Sequence, residues 1–173
     1  MKYIKDIIII MILLLLAGFI VRQLPSKSQK PAGDNIPDLQ HIYASWDTME
    51  FDKCVSSWLI TRFIDRDAKF VFYPQGTDIK EGVVFDVPGA DWSRKHMKCT
   101  SDCILESMDV NDIKIKQIVA MAHQVEINFW QLDRWPDTQK CFYEVKEIMD
   151  SASSPIECFQ KTQLYFDKLY QQL

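Results

Sequence analysis

The sequence predicts an α+β domain that is mostly helical, with about five helices and a small two- or three-stranded sheet, preceded by an N-terminal apolar helix. Two observations predict this class. Short runs rich in aromatic and β-branched residues occur between residues 41 and 87, and such runs are typical of strands. From residue 100 onward, apolar residues recur at the spacing of amphipathic helices. Few strands and many helices therefore favour an α+β arrangement.

The strand-like runs are short, and each ends at turn-forming residues. Residues 41–46 are predicted as an edge strand, Lys69–Tyr73 is followed by Pro74, and residues 83–87 are followed by Pro88 and Gly89. Because proline cannot donate to a sheet ladder, the two later runs are expected to stop there.

Five segments have apolar residues at helical spacing, and they are residues 50–64, 100–108, 112–128, 137–150 and 154–171. The stripe predicted to be buried on the third helix consists of Ile115, Ile118, Val119, Ala122 and Val125. Ser154 before Pro155 predicts the start of the last helix, since serine caps helices and proline fits their first turn.

The chain divides into an N-terminal segment at residues 1–24, a linker at residues 25–40 and the α+β domain at residues 41–173. The unbroken apolar run at residues 7–21 follows two lysines. It is shorter than the roughly 20 residues of a typical membrane-spanning helix. Three interpretations stay open: an uncleaved membrane anchor, a cleaved signal peptide and a helix buried in the core.

The net charge limits the possible partners, and the cysteine count limits the possible disulfides. A net charge of −4 argues against general affinity for nucleic acid, so no nucleic-acid partner is expected. The five cysteines are Cys54, Cys99, Cys103, Cys141 and Cys158. In an oxidising compartment an odd number leaves one thiol unpaired within the chain, and the sequence does not fix the pairing.

Two sequence blocks carry a family resemblance. FDKCVSSWLITRFID begins at residue 51, and FDVPGADWSRKHMKCTSDC begins at residue 85. Over residues 46–127 the chain resembles the chromate resistance exported protein family, whose domain also forms the C-terminal half of ChrB-type chromate-responsive regulators. The matching positions are Asp52, Lys53, Trp58, Leu59, Ile60, Arg62, Phe63, Ile64, Asp65, Phe85, Asp86, Pro88, Gly89, Ala90, His96, Cys99, Thr100 and Asp102.

The resemblance implies a bacterial protein that protects against chromate or a related oxyanion or metal stress. Together with the apolar N-terminus, it predicts a periplasmic domain anchored in the inner membrane, or a protein secreted to the periplasm. The membrane is then one partner, reached through the N-terminal segment.

Carboxylates, a histidine and a cysteine at helix starts and strand ends suggest a site for a divalent metal ion. The candidate ligands are Asp52, Asp86, His96, Cys99 and Asp102. Oxygen, imidazole and thiolate ligands together suit a borderline metal. The alternative is that the same acids are helix caps and salt bridges. A second version of the site uses the H-x2-C-x3-C spacing with Cys103, and Cys54 as a further ligand.

A basic cluster on this acidic chain suggests an oxyanion site beside a helix start. The candidate ligand-binding residues are Asp52, Lys53, Arg62, Arg94, Lys95 and Lys98. Chromate, sulfate or phosphate would be attracted there, and the Cys99 thiol could serve as a reductant of chromate. His41 and His123 are interpreted as surface or capping histidines.

Three functional classes follow from these sites. The first is a module that binds or senses an oxyanion or metal ion. The second is an enzyme, either a metal-dependent hydrolase or a thiol-dependent chromate reductant, for which no catalytic residue is assigned. The third is an interaction domain of a membrane transporter.

Overall fold

The computed structural model describes residues 41–108 and 110–173. This part of the chain contains β1 (Ile42–Trp46), α1 (Phe51–Leu59), β2 (Lys69–Tyr73), β3 (Val83–Val84), α2 (Thr100–Ser107), α3 (Ile113–Ile127), α4 (Pro136–Ser151) and α5 (Pro155–Gln172). A π-helical segment, Ile60–Ile64, continues α1, and a 3-10 helix, Phe129–Arg134, follows α3. The prediction of a mostly helical α+β domain is confirmed.

The predicted signal peptide or anchor at residues 1–24 and the linker at residues 25–40 lie outside the described residues. Within residues 41–108 and 110–173, no helix combines the length and the apolar character needed to cross a membrane.

The three strands form one parallel sheet in the order β2-β1-β3. The prediction that residues 41–46 form an edge strand is therefore wrong, because β1 is the central strand. The core of β1 is fully enclosed, with Tyr43, Ala44 and Ser45 all buried. A short strand flanked by polar residues has the same sequence pattern at an edge as at the centre, so periodicity did not distinguish the two positions.

The third strand is shorter than predicted and ends at Val84. Phe85 still donates its backbone N–H to the Ala44 carbonyl, at 3.0 Å. The next residue, Asp86, has a φ of 54°. A left-handed backbone cannot continue a strand, so pairing stops there and the chain turns.

Helix α1 lies in the middle of the domain, and all nine of its residues are buried. It packs against α2, α3 and α5. Two of its own aromatic side chains, Phe51 and Trp58, contact the ring of Phe166 on α5. Because the helix is enclosed, its polar side chains must find hydrogen-bond partners inside the protein, and this requirement brings Asp52 and Lys53 to the site described below.

The predicted helical patterns are confirmed in α3 and α5. All five residues of the predicted stripe on α3 are buried. At the start of α5, the Ser154 hydroxyl accepts the Glu157 N–H at 3.2 Å, and Pro155 occupies the first turn.

Candidate metal centre

The N-terminus of α2 is held by a carboxylate from another helix. Asp52 on α1 accepts the Thr100 N–H at 2.6 Å and the Ser101 N–H at 3.0 Å. These amides belong to the first turn of α2, where backbone N–H groups lack partners within the helix. Asp52 is only 2% exposed, and burial raises the pKa of its carboxyl, whereas the hydrogen bonds from Ser101 and Thr100 act in the opposite direction.

Asp86 and Lys53 hold the same segment from a second side. The Thr100 hydroxyl donates to Asp86 Oδ1 at 2.6 Å. Lys53 Nζ lies 3.4 Å from Asp86 Oδ2, and it donates to the carbonyls of Trp46 at 2.9 Å and Thr48 at 2.5 Å. Burial raises the pKa of Asp86, and the nearby Lys53 ammonium opposes that rise. The predicted residues Asp52, Lys53 and Asp86 therefore converge on the start of α2.

Three potential metal ligands meet just beyond this point, at Cys99, Asp102 and His123. Asp102 Oδ2 lies 3.1 Å from Cys99 Sγ and 2.7 Å from His123 Nδ1. One ligand atom from each side chain lies within 4.8 Å of the other two. Cys99 is fully buried, whereas the side chains of Asp102 and His123 are 20% and 33% exposed. The cluster is therefore closed on the sulfur side and open to solvent on the other.

The sulfur of Cys99 sits in a defined environment at the position that precedes α2. It accepts the backbone N–H of Asp102, while the Asp102 side chain accepts the backbone N–H of Cys99 at 3.0 Å. Hydrogen bonds of this kind to a sulfur stabilise thiolate ligands in metal sites. Burial, followed by the negative charge of Asp52, raises the pKa of the Cys99 thiol. In the absence of a cation the thiol is therefore protonated, and it donates to Asp102.

The predicted ligand His96 lies elsewhere, in the loop before α2. It is exposed, has a φ of 39°, and makes no hydrogen bond or ion pair with the residues that the structure describes. It lines a surface cavity of about 480 Å³ together with Lys95, Lys98 and Cys103. Lys98 is paired with Glu106, which lines the same cavity.

The two arginines predicted to bind a ligand are held by carboxylates. Arg62 donates from both Nε and a terminal nitrogen to Asp167 on α5, each at 2.8 Å, and Trp58 Nε1 donates to the same carboxylate at 2.9 Å. The W-L-I-x-R motif therefore ties the first helical block to α5. Arg94 is paired with Glu126 on α3.

The five cysteines, all within the described residues, are free and buried. The thiol-rich version of the metal site places Cys54 and Cys103 with Cys99. In the structure, Cys103 instead donates to the Ser93 carbonyl at 3.4 Å, and Cys54 lies beside Cys158 in the core.

The sequence predicts His123 as a surface or capping histidine, whereas the structure brings it into contact with Asp102. An isolated histidine on a helix is common, and nothing adjacent to it in the chain suggests a ligand. A signal was nevertheless present. His123 follows Val119 by four residues and precedes Glu126 by three, so both lie on its side of α3. Val119 belongs to the buried stripe, which indicates that the histidine faces inward.

Comparison with known proteins identifies the family. The model of the C-terminal domain of ChrB matches residues 43–173. The chain belongs to this family. The match confirms the resemblance seen in the two sequence blocks and extends it through α4 and α5. It also places the protein in the context of chromate resistance. No curated protein and no solved structure matches the chain.

Proposed function

We propose that this ChrB-type domain binds a divalent transition-metal ion between Cys99, Asp102 and His123, and that it serves in chromate resistance as a metal-binding or metal-sensing module. The observation that carries the proposal is the convergence of the three ligand atoms within 4.8 Å of one another. The residues come from two separate parts of the chain, the start of α2 and the middle of α3, so the convergence depends on the tertiary structure.

The chemistry of the three side chains favours a borderline ion of the zinc type. Sulfur, imidazole and carboxylate ligands together suit zinc and its neighbours, whereas magnesium and calcium prefer oxygen alone. The thiolate and the carboxylate supply two negative charges, which balance a divalent cation. Three protein ligands leave a fourth position for water or another ligand, as in metal sites that exchange ligands.

The hydrogen bonds within the cluster fit the proposal. Asp102 Oδ2 accepts the Cys99 N–H and the Cys99 thiol, and it also contacts His123 Nδ1. The thiol proton is the one that a metal ion would displace. Binding would therefore release a proton from Cys99. The Asp102 carboxylate would coordinate the ion in place of its hydrogen bonds to the Cys99 thiol and to His123 Nδ1.

A metal ion is favoured over an oxyanion because the basic residues of the region are already engaged. Arg94 is paired with Glu126, and Lys98 is paired with Glu106. Lys95 and His96 remain beside acidic neighbours in the surface cavity. A dianion would therefore meet little net positive charge there, and the oxyanion and enzyme hypotheses stay predictions.

The location of the module is part of the proposal. The apolar run at residues 7–21 supports a domain that is anchored in the inner membrane or exported to the periplasm. In either location a solvent-open site would meet metal ions before they enter the cytoplasm, which suits a sensing or protective role.

The test is a cobalt titration of the chain of residues 1–173, purified in mild detergent under reducing conditions. Cobalt is a spectroscopic substitute for zinc, and a thiolate ligand gives it a charge-transfer absorption band. We expect one ion per chain with this band. Cys99→Ser should remove the band, and His123→Ala should weaken binding by more than the roughly 10- to 100-fold typical of supporting residues.

The matched control is Cys103→Ser, which changes a thiol one helical turn from Cys99 and should leave cobalt binding intact. The proposal fails if the unmodified chain binds neither cobalt nor zinc, or if Cys99→Ser binds cobalt with the same band and affinity.

A further inference from the structure

We propose that Asp52 and Asp86 are positioning residues that hold the segment Cys99–Thr100–Ser101 so that Cys99 and Asp102 face one metal ion. This inference rests on the proposed function, because it assigns these residues a role in that same site. Neither carboxylate is a ligand in the proposal. Each acts through the backbone or side chain of a residue beside a ligand.

The segment Cys99–Thr100–Ser101 is held from the side of α1. Asp52 lies on α1 and takes the N–H groups of the two residues between Cys99 and Asp102. A single carboxylate therefore fixes two consecutive peptide groups between the two ligands. Asp52 is itself enclosed, at 2% exposure, so it cannot move without disturbing α1.

Thr100, the residue next to Cys99, has two carboxylate partners. Its N–H is bound to Asp52 Oδ2, and its hydroxyl is bound to Asp86 Oδ1, both at 2.6 Å. Thr100 is therefore held from two sides by carboxylates of different parts of the fold, one on α1 and one after β3. Asp86 is fixed in turn by Lys53 at 3.4 Å. This arrangement leaves the residue next to Cys99 little freedom to rotate.

The contacts of Asp52 and Asp86 add to the ordinary capping of α2. Helix α2 already has local hydrogen bonds at its start, because the Asp102 side chain accepts the Cys99 N–H and the Cys99 sulfur accepts the Asp102 N–H. Those bonds use the side chains that would coordinate the ion. If a metal ion engages the Asp102 carboxylate, the hydrogen bond from the Cys99 N–H to that carboxylate is weakened, and the start of α2 then depends more on the two partners that lie outside the helix. Asp52 and Asp86 supply partners that coordination leaves undisturbed.

The experiment compares Asp52→Asn with the unmodified chain by cobalt titration, with urea unfolding of the same samples. Asparagine keeps the shape but offers one acceptor oxygen, so one of the two N–H groups loses its partner. We expect cobalt affinity to fall about 10- to 100-fold, the effect usual for residues that orient ligands. We also expect the cobalt spectrum at saturation to change, which a loss of stability alone would not cause.

The matched control is Asp167→Asn, which removes a carboxylate that anchors Arg62 and Trp58 on the α5 side. It should lower stability and leave the cobalt spectrum and affinity unchanged. If Asp52→Asn does not fold, Thr100→Val provides the deciding measurement, because it removes only the hydroxyl bound to Asp86 and should give the same spectral change and weaker binding.

The outcomes distinguish the two proposals. If the unmodified chain binds cobalt, and the folded Asp52→Asn variant, or Thr100→Val in its place, binds it with the same affinity and spectrum, the positioning role is overturned while the metal site stands. If the unmodified chain binds no cobalt, the proposed function fails and this inference fails with it.

Discussion

Replacing Lys53 with methionine tests whether the buried lysine stabilises the centre of the domain. Its side chain is 3% exposed, and its ammonium donates to the carbonyls of Trp46 and Thr48 and pairs with Asp86. Methionine has a similar volume and an unbranched stem, so Lys53→Met removes the charge without creating a large cavity. The expected loss of stability is then electrostatic, since two carbonyls lose their donor and the Asp86 carboxylate loses its cation.

The size of the effect follows from burial. Removing one partner of a buried ion pair costs about 3–5 kcal/mol, much of it from the charge left unpaired. An unsatisfied carbonyl costs about 1–3 kcal/mol when it is buried. Trp46 is only half-buried and Thr48 is exposed, so water can replace part of what their carbonyls lose. Asp86 is also 13% exposed, and water relieves part of its loss as well. We expect a total of about 3–5 kcal/mol, a large share of the roughly 5–15 kcal/mol by which domains are stable.

The assay is urea unfolding of the purified chain, followed by tryptophan fluorescence, to which the buried Trp58 contributes. Lys80→Met is the control, because the Lys80 side chain is 80% exposed and its ion pair with Asp78 is a surface pair, worth about 1 kcal/mol or less. The double variant Lys53→Met/Asp86→Asn should lose about 1–3 kcal/mol less stability than the two single variants lose together, because it leaves no unpaired charge. A loss below about 1 kcal/mol for Lys53→Met, or strict additivity, would refute the reasoning.

Two further predictions concern a turn and a helix start. Gly82→Ala should destabilise more than Gly76→Ala. Both glycines have positive φ, which costs an alanine about 1–2 kcal/mol. Only at Gly82 would the new Cβ also lie 2.6 Å from a backbone oxygen, that of Ile42. Equal losses of stability in urea unfolding would contradict this prediction. At the start of α5, Lys161 and nearby hydrogen bonds lower the pKa of Glu157 to about 2. Its stabilising contribution is therefore complete above the ordinary pKa near 4.5 and is lost as the pH falls toward 2. Glu157→Gln should make the free energy of unfolding depend less on pH in this range, and an unchanged dependence would count against the prediction.

The helices could be predicted from the sequence because their stripes are regular. Ile115, Ile118 and Val119 recur at helical spacing, and each is buried as expected. Ser154 before Pro155 marked the last helix for a local chemical reason. The position of a strand in the sheet was harder to predict. β1 is central because β2 and β3 pair on either side of it, and its own residues do not indicate that pairing.

The site was predictable only in part. Asp52, Asp86, Cys99 and Asp102 stand in recognisable blocks, and the structure brings the first two to the start of α2 and the last two into the cluster with His123. His123 contributes through tertiary structure alone, 21 positions after Asp102. His96 is predicted in the site because it stands at a matching family position, three residues before Cys99, but a position in the sequence does not determine which way an exposed loop residue faces.

The π-helical turn at Ile60–Ile64 makes this stretch sensitive to its length. The Asp65 N–H reaches back five residues to the Ile60 carbonyl, at 2.8 Å. Deleting one residue here, such as Thr61, would shorten this bond to an ordinary four-residue α-helical one and would move Arg62 back by one position in the turn. The guanidinium of Arg62 would then point away from Asp167, and α5 would lose one of its attachments. Substitutions at the surface of this turn should be tolerated far better than single-residue insertions or deletions, which gives a practical rule for aligning and engineering related chains.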